Sequence, residues 1–431
     1  MVFKVGLLGL GTVGTGTAKI LLDPEGRHPL LQSIEICKVG VKSLSKSRQV
    51  SLPPDCLTTD LEAIVSDPAI DVVVELIGGL EPARSLILKA IKQGKHIVTA
   101  NKAVISRYGD QIFTAANQAG VYVMLEAAVG GGIPVIQPLK QGLGVNRIQA
   151  VTGIVNGTTN YILTRMQNEG GDFEPILAEA QRLGYAEADP AADVDGFDAA
   201  DKIAILASLA FGGRIKRDEV YCEGIRQVSA ADISYADKLG FVIKLLAIAK
   251  RPYPNQPGLQ VRVHPTLVPK AHPLASVNSV YNAILVEGEP IGQVMFFGPG
   301  AGAGPTASAV VSDIINIAAT LTSAATQPVA NPLLACSHQH YSPIIPNAEL
   351  FSRLYLRLLV KDQPKVIGRL GNCFGDHGVS LESVVQIGMQ DKIAELVVIT
   401  HEVQEGAFQA ALDEIRGFPE IQDIPSLLRV L

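Results

Sequence analysis

Two lysines and a run of carboxylates are the residues of this chain best suited to chemistry. The densest polar stretch reads Leu183-Gly184-Tyr185-Ala186-Glu187-Ala188-Asp189-Pro190, followed by Asp193, Asp195, Asp198, Asp201 and Lys202. Asp198 and Lys202 stand four residues apart on a predicted helix, so they share a face. Asp195 lies one turn earlier, and Glu187 and Asp193 sit in the preceding loop. When a hydride leaves a carbinol carbon, the hydroxyl proton must leave too. A lysine serves as the base if burial or a second ammonium lowers its pKa. Lys102, from a distant stretch, is the second ammonium that could meet Lys202. Carboxylates beside them suit the α-ammonium of an amino-acid substrate. Asp195 alone needs no such role, because acidic residues favour helix N-termini.

The hydride requires a carrier. Gly9-Leu10-Gly11-Thr12-Val13-Gly14 is a GxGxxG between a predicted strand, Phe3 to Leu8, and a predicted helix, Thr12 to Leu22. Glycines there permit a tight turn and close approach of a pyrophosphate to the helix N-terminus. A glycine-rich turn without ligand is the plainer alternative, but the strand–turn–helix context supports the nucleotide. The second strand ends Gly40-Val41-Lys42-Ser43, with Lys46 and Arg48 behind it. No carboxylate is placed for a ribose 2′-hydroxyl, and three cations could meet a 2′-phosphate, so NADP(H) is expected over NAD(H). The later loops Ile77-Gly78-Gly79 and Thr99-Ala100-Asn101-Lys102 follow strands, where ligands of open parallel sheets bind.

Glu126-Ala127-Ala128-Val129-Gly130-Gly131-Gly132-Ile133-Pro134 also follows a strand. Its glycines let carbonyls bend inward and Glu126 adds a charge, as a site for a hard cation requires. Taken alone, such a loop is more often a hinge. His338-Gln339-His340 has no cysteine or carboxylate set beside it and reads as linker.

These residues need a scaffold, and the sequence supplies an α/β one. Apolar runs at Phe3–Leu8, Ile34–Val41, Val72–Leu76, His96–Thr99 and Val121–Leu125 alternate with helical stretches, as in a Rossmann-type parallel sheet at residues 1–130. Residues 131–305 read as a second α/β unit for the substrate, and a helix at 306–322 is expected to pack back onto the first. Residues 325–350 read as a linker, and 351–431 as a ferredoxin-like βαββαβ tail. The net charge of −6 without a basic block argues against nucleic acid. The most apolar run, Phe241 to Ala249, is interrupted by Lys244 and too short to span a bilayer. Five cysteines without a CxxC, and no signal-peptide pattern, lead to a cytoplasmic expectation.

At these residues the chain resembles the homoserine dehydrogenases. The match runs through Gly9–Gly14, Thr99–Lys102, Gly153-Ile154-Val155-Asn156-Gly157-Thr158-Thr159-Asn160-Tyr161-Ile162-Leu163, and Leu183–Glu187 through Asp198-Ala199-Ala200-Asp201-Lys202. The resemblance implies NADP-dependent interconversion of L-homoserine and L-aspartate 4-semialdehyde, in threonine, methionine and isoleucine biosynthesis. It implies Lys202 as the proton-transferring residue and Lys102 as a second active-site lysine that also approaches the cofactor. It implies Glu187, Asp193 and Asp198 as substrate-binding acids. Glu126, Val129, Gly131 and Ile133 correspond to a monovalent-cation loop, usually for Na+. Gly9, Gly11, Thr12, Val13, Gly14, Lys42, Thr99 and Gly302 fall at cofactor positions. A central dimerisation domain, hence a homodimer or homotetramer, is implied as well. Lys42-Ser43 stands where many relatives read Arg-Asp, which strengthens the NADP(H) expectation.

The tail resembles an ACT domain, which implies feedback inhibition by L-threonine; a purely oligomerising tail is the alternative. Lys365 replaces glycine in the common Asp-x-Pro-Gly, and Asn372 with Gly375-Asp376-His377-Gly378 could line an effector site between paired tails. Two other functions compete with this one. Aspartate-semialdehyde dehydrogenase chemistry needs a nucleophilic thiol, and neither the polar segment nor the glycine-rich loops hold a cysteine. A non-enzymatic NADP-responsive regulator with an ACT sensor would need neither Lys102 nor Lys202.

Overall fold

Short apolar runs separated by amphipathic stretches become strands and helices that alternate at the N-terminus, apart from the two-residue β3 that follows β2 directly. The computed structural model describes residues 2–53, 55–252, 258–323, 340–390 and 392–431. It opens with β1 (Phe3–Leu8), α1 (Thr12–Leu22), β2 (Ile34–Gly40), β3 (Leu57–Thr58), α2 (Leu61–Ser66), β4 (Val72–Glu75), α3 (Ala83–Lys92), β5 (His96–Thr99), α4 (Lys102–Ala119), β6 (Val123–Met124) and α5 (Ile136–Lys140). There follow β7 (Arg147–Ile154), α6 (Gly157–Glu169), α7 (Phe173–Arg182), α8 (Ala191–Val194), α9 (Phe197–Phe211), β8 (Tyr221–Cys222), α10 (Ala230–Lys238), β9 (Phe241–Lys250), β10 (Gln260–Pro269), β11 (Tyr281–Glu289), β12 (Gly292–Pro299) and α11 (Ala303–Ser323). The chain ends with β13 (Phe351–Lys361), α12 (Val366–Asp376), β14 (Leu381–Gln390), β15 (Ile393–Thr400), β16 (Val403–Gln404), α13 (Glu405–Arg416) and β17 (Ile421–Val430). Cys336, His338 and most of the expected linker lie outside the described residues. No helix of the described residues is long and apolar enough to cross a membrane.

Two units divide the chain: Met1–Val151 with Asp201–Asp218 and Asn282–Ser342, and Thr152–Ala200 with Glu219–Tyr281 and Pro343–Leu431. The first is built on a six-stranded parallel sheet in the order β3-β2-β1-β4-β5-β6. The order reverses between β1 and β4, which opens a crevice at their carboxyl ends. Leu7, Val39, Val74 and Val98 share a core with Val310, Ile314 and Ile317 of α11. Gly16 of α1 permits this packing, because a Cβ there would lie 2.7 Å from the Ala303 carbonyl oxygen. Helix α11, more than two hundred residues downstream of most of these strands, is therefore part of the same layer.

In the second unit β9 and β10 pair antiparallel over ten residues, Phe241 opposite Pro269 through Lys250 opposite Gln260. The run that the sequence offers only as a failed membrane span is thus a buried strand. Lys244 within it donates to Asn160 Oδ1 (3.2 Å), the Val277 carbonyl (2.5 Å) and Asn278 Oδ1 (3.0 Å). Burial pulls its ammonium down to about 8.

The tail has the expected βαββαβ order, plus the short β16, with its sheet in the order β17-β13-β15-β14. β17 has ten residues. Pro425 and the polar residues near it hide the strand, and the pairing with β13 is irregular between Arg357 and Val360. Lys365 has φ 77° at the start of α12, a left-handed position that glycine adopts without strain. β17 continues past the tail and pairs in parallel with β10, Thr266 opposite Arg429. Buried charges lie along this seam. Glu405 Oε1 accepts from Arg262 (2.6 Å) and Ser352 (2.7 Å), and its Oε2 accepts from Arg429 (2.9 Å) and Asn347 (2.6 Å).

Candidate active site

The glycine loop has the backbone a dinucleotide needs. Gly9 has φ 107°, and a Cβ on Gly14 would meet the Gly9 carbonyl oxygen at 2.2 Å, so both positions require glycine. Gly11 caps α1 without a side chain, and no acidic residue occupies the first turn. The first-turn N–H groups, with Thr12 and Val13 among them, are left to face an anion. Gly302, φ 123°, precedes α11, which packs on α1.

Past β2, Lys42 and Lys46 are exposed. Arg48 has a different task from the one expected of it. Its guanidinium donates to the carbonyls of Ser43, Leu44 (3.1 Å) and Lys46 (2.6 Å) and so folds the loop on itself.

At the crevice between β1 and β4, the last residue of β4 is a fully buried glutamate. Glu75 Oε1 accepts from the amides of Ile77 (3.0 Å) and Gly78 (3.1 Å), and Oε2 accepts from Thr99 Oγ1 (2.7 Å). Thr99 Oγ1 in turn accepts from the Asn101 amide (3.0 Å), and Asn101 Nδ2 donates to the Gly79 carbonyl (2.8 Å). Asn101 also caps α4, accepting from the Val104 amide. One carboxylate thereby fixes both loops at the crevice and the helix end where Lys102 stands. Burial raises its pKa, against these hydrogen bonds, which lower it. Glu75→Ala should lower kcat on the order of a hundredfold, the cost of a displacement of about 1 Å at a reacting group. Glu75→Gln, which keeps the Thr99 bond, should recover much of it. Steady-state kinetics beside thermal melts check this; wild-type kcat in the folded alanine variant would refute it.

Helices α4 and α9 are tied by Asp201. Its Oδ1 accepts from Ser106 Oγ (3.1 Å), Arg107 Nη1 (3.2 Å) and Arg217 Nε (2.8 Å). Lys102 is one turn before Ser106, and Lys202 directly follows Asp201, so each lysine stands within a turn of this tie. Lys202 is 9% exposed, and Lys102 is half-buried. Asp201 is taken up by this tie, while the neighbouring acids are arranged otherwise.

Within the second unit, Asn156 gathers two of the acids. Its Nδ2 donates to Asp193 Oδ1 (2.7 Å) and Asp198 Oδ2 (2.9 Å), while its Oδ1 accepts from the Thr159 amide (2.8 Å) and caps α6. Asp198 is buried, Asp193 half-buried and Glu187 exposed. Thr158 Oγ1 donates to the Tyr185 carbonyl (2.7 Å), joining the two longest motifs. Asp195 forms a salt bridge with Arg226 and ends α8, so its role is structural but not the helix N-terminal one expected for it.

The Glu126 carboxylate does not face outward. It accepts from the amides of Val135 (2.6 Å), Ile136 (2.8 Å) and Gln137 (2.8 Å), at the start of α5. Asp313 Oδ2 accepts from the Glu126 amide (2.8 Å), and burial, then the Glu126 charge, holds Asp313 well above the usual carboxylate range. Any cation at this loop would rely on backbone oxygens. Gly131 has φ 55°, and a Cβ there would strike the Gly300 carbonyl oxygen at 2.4 Å; Val129, Gly131 and Ile133 are buried.

A family profile described as homoserine dehydrogenase matches residues 134–315, one for the homoserine dehydrogenase NAD-binding domain matches 9–126, and an ACT domain profile matches 354–420. The homoserine dehydrogenase of Synechocystis sp. is 67% identical over 432 residues, with 100% of each chain covered. The chain belongs to the homoserine dehydrogenase family. It is an oxidoreductase with an NAD(P)-binding Rossmann-type domain and a C-terminal ACT domain. The crystal structure of the homoserine dehydrogenase from Thiobacillus denitrificans has a TM-score of 0.91 at 40% identity and covers 100% of this chain and 98% of that one. A hyperthermophilic archaeal homoserine dehydrogenase in complex with NADPH has a TM-score of 0.63 at 26% identity, covering 75% of this chain and 98% of its own.

Sequence reasoning passes over Glu75, Asn156 and the tying role of Asp201. For Glu75 a signal exists: a carboxylate ends the apolar run Val72-Val73-Val74, where a buried charge demands partners. Asn156 lies inside a recognised motif, but its two acids come from 37 and 42 residues away.

Proposed function

We propose that the chain reduces L-aspartate 4-semialdehyde to L-homoserine, and catalyses the reverse oxidation, with NADP(H) preferred. The observation that supports this reading is the Asp201 tie to Ser106 and Arg107 of α4, because Lys102 stands one turn before Ser106 and Lys202 directly follows Asp201. NADPH, when bound on the Gly9–Gly14 loop, supplies the hydride. In the reducing direction the Lys202 ammonium gives its proton to the carbonyl oxygen; in oxidation the neutral amine takes the hydroxyl proton. Lys102 contributes a second positive charge that makes Lys202 easier to deprotonate and approaches the cofactor. Asp193 and Asp198, oriented by Asn156, and Glu187 hold the substrate ammonium. Backbone oxygens of Glu126, Val129, Gly131 and Ile133 are the candidate Na+ ligands. L-Threonine acting on the ACT tail is the candidate inhibitor, and the reaction serves threonine, methionine and isoleucine formation. A homodimer or homotetramer is the proposed assembly.

NADPH oxidation with aspartate semialdehyde, with and without threonine, tests the reading; no turnover would refute it, and turnover indifferent to threonine would remove the effector. The cofactor preference has its own test. With Arg48 folded onto its loop, Lys42 and Lys46 remain for the 2′-phosphate. Lys42→Ala should raise the KM for NADPH about 10- to 100-fold, the loss of one charge-assisted hydrogen bond, and leave NADH kinetics unchanged. A wild-type preference for NADH would sink the assignment.

A further inference from the structure

The two helices of the tail carry a donor set that the proposed reaction does not use. Cys373 and His377 are four residues apart on α12 and so share a face. Glu414 reaches the same place from α13. One ligand atom from each lies within 4.8 Å of the other two, and no other trio of such residues among those described does so. His377 Nε2 is already 2.9 Å from Glu414 Oε2. Cys373 is buried, His377 half-buried and Glu414 exposed, so the cluster has a fixed floor and an open side. The helices are held together beneath it by Phe374 stacked on Phe408, ring centroids 5.9 Å apart, within a core that includes Leu370, Leu412 and Ile415.

We propose that Cys373, His377 and Glu414 bind a transition-metal ion of the Zn2+ class. Thiolate with imidazole selects such an ion over Mg2+ or Ca2+, which take oxygen ligands. Bonds of about 2.0–2.3 Å in a tetrahedral site leave neighbouring ligands about 3.5 Å apart. The His377–Glu414 pair must therefore open from 2.9 Å while the Cys373 sulfur settles at that spacing from both, which rotation of the more exposed His377 and Glu414 supplies. Water completes the fourth position. The ion replaces the thiol proton, which is released to solvent, and interposes itself in the His377–Glu414 pair. The bound ion clips α12 to α13.

Cobalt titration of the full-length protein reads this directly. We expect one Co2+ per chain, a thiolate-to-metal absorption band in the near ultraviolet, and displacement by Zn2+. Cys373→Ser should abolish the band, and His377→Ala and Glu414→Gln should each weaken binding at least tenfold. NADPH binding, unchanged in all three, shows that the variants are folded. Absence of the band in the wild type, or its persistence in Cys373→Ser, overturns the proposal.

Discussion

Lys202→Met should leave an enzyme that binds NADPH as the wild type does and turns over about a hundred- to ten-thousandfold more slowly, the span that a positioned proton-transfer group contributes. The substitution suits the site. Lys202 is 9% exposed on α9, and methionine keeps the length of the stem without the charge, so the helix and the Asp201 tie should survive. The expected loss falls on kcat, because the proton moves only as the carbinol and carbonyl interconvert. NADPH fluorescence titration alongside stopped-flow oxidation separates binding from chemistry. Full turnover in the folded variant would exclude Lys202 as the proton carrier. A loss of NADPH affinity with unchanged kcat would instead place its charge at the cofactor.

Glu405→Ala should cost about 3–5 kcal/mol, the usual result of breaking a buried ion pair, and lower Tm on the order of 10 °C. The carboxylate is buried between Arg262 of β10 and Arg429 of β17, and its removal leaves two guanidinium groups without that partner. Burial alone would raise Glu405, but Arg429, Ser352 and Arg262 outweigh it and hold the group down to about 2. A depressed carboxyl contributes stability above its unfolded pKa and loses it as pH falls through the folded value. Here the window runs from about 4.5 down to about 2, and two to three pKa units correspond to roughly 3 kcal/mol. Urea midpoints between pH 6 and 3 should fall less in Glu405→Gln than in the wild type; parallel curves would refute the linkage. The same seam changes the expectation for the tail. A module joined only by the predicted linker could be removed cleanly, but ending the chain near residue 350 takes away Glu405 and the β17 strand that pairs with β10. The truncated protein should therefore be less stable than the full chain.

The legible parts of this protein are those written over short distances. The glycine loop, the strand–helix alternation to β6 and the βαββαβ order of the tail follow from periodicity and turn residues within about thirty positions. The family follows from motifs that are likewise continuous in sequence. Legibility fails where a residue type has two uses and a distant partner chooses between them. Asp201 and Asp198 are three residues apart, yet one ties two helices and the other meets Asn156. Arg48 reads as a phosphate partner and folds its own loop. Glu126 reads as a charge for a cation and caps α5 instead.

The sequence by itself determined the strands and helices of the first sheet, the element order of the tail, which loop can take a dinucleotide and which residue types are available for proton transfer, because backbone preference and side-chain alternation are local properties. The return of α11 to the first sheet was legible as a long apolar helix without a partner of its own, whereas tertiary structure alone decided that β17 runs into β10 and that Glu75 anchors two loops and a helix end. Those choices depend on which distant surfaces exclude water together and on which buried charges find partners, and neither can be read from residues near one another in the chain.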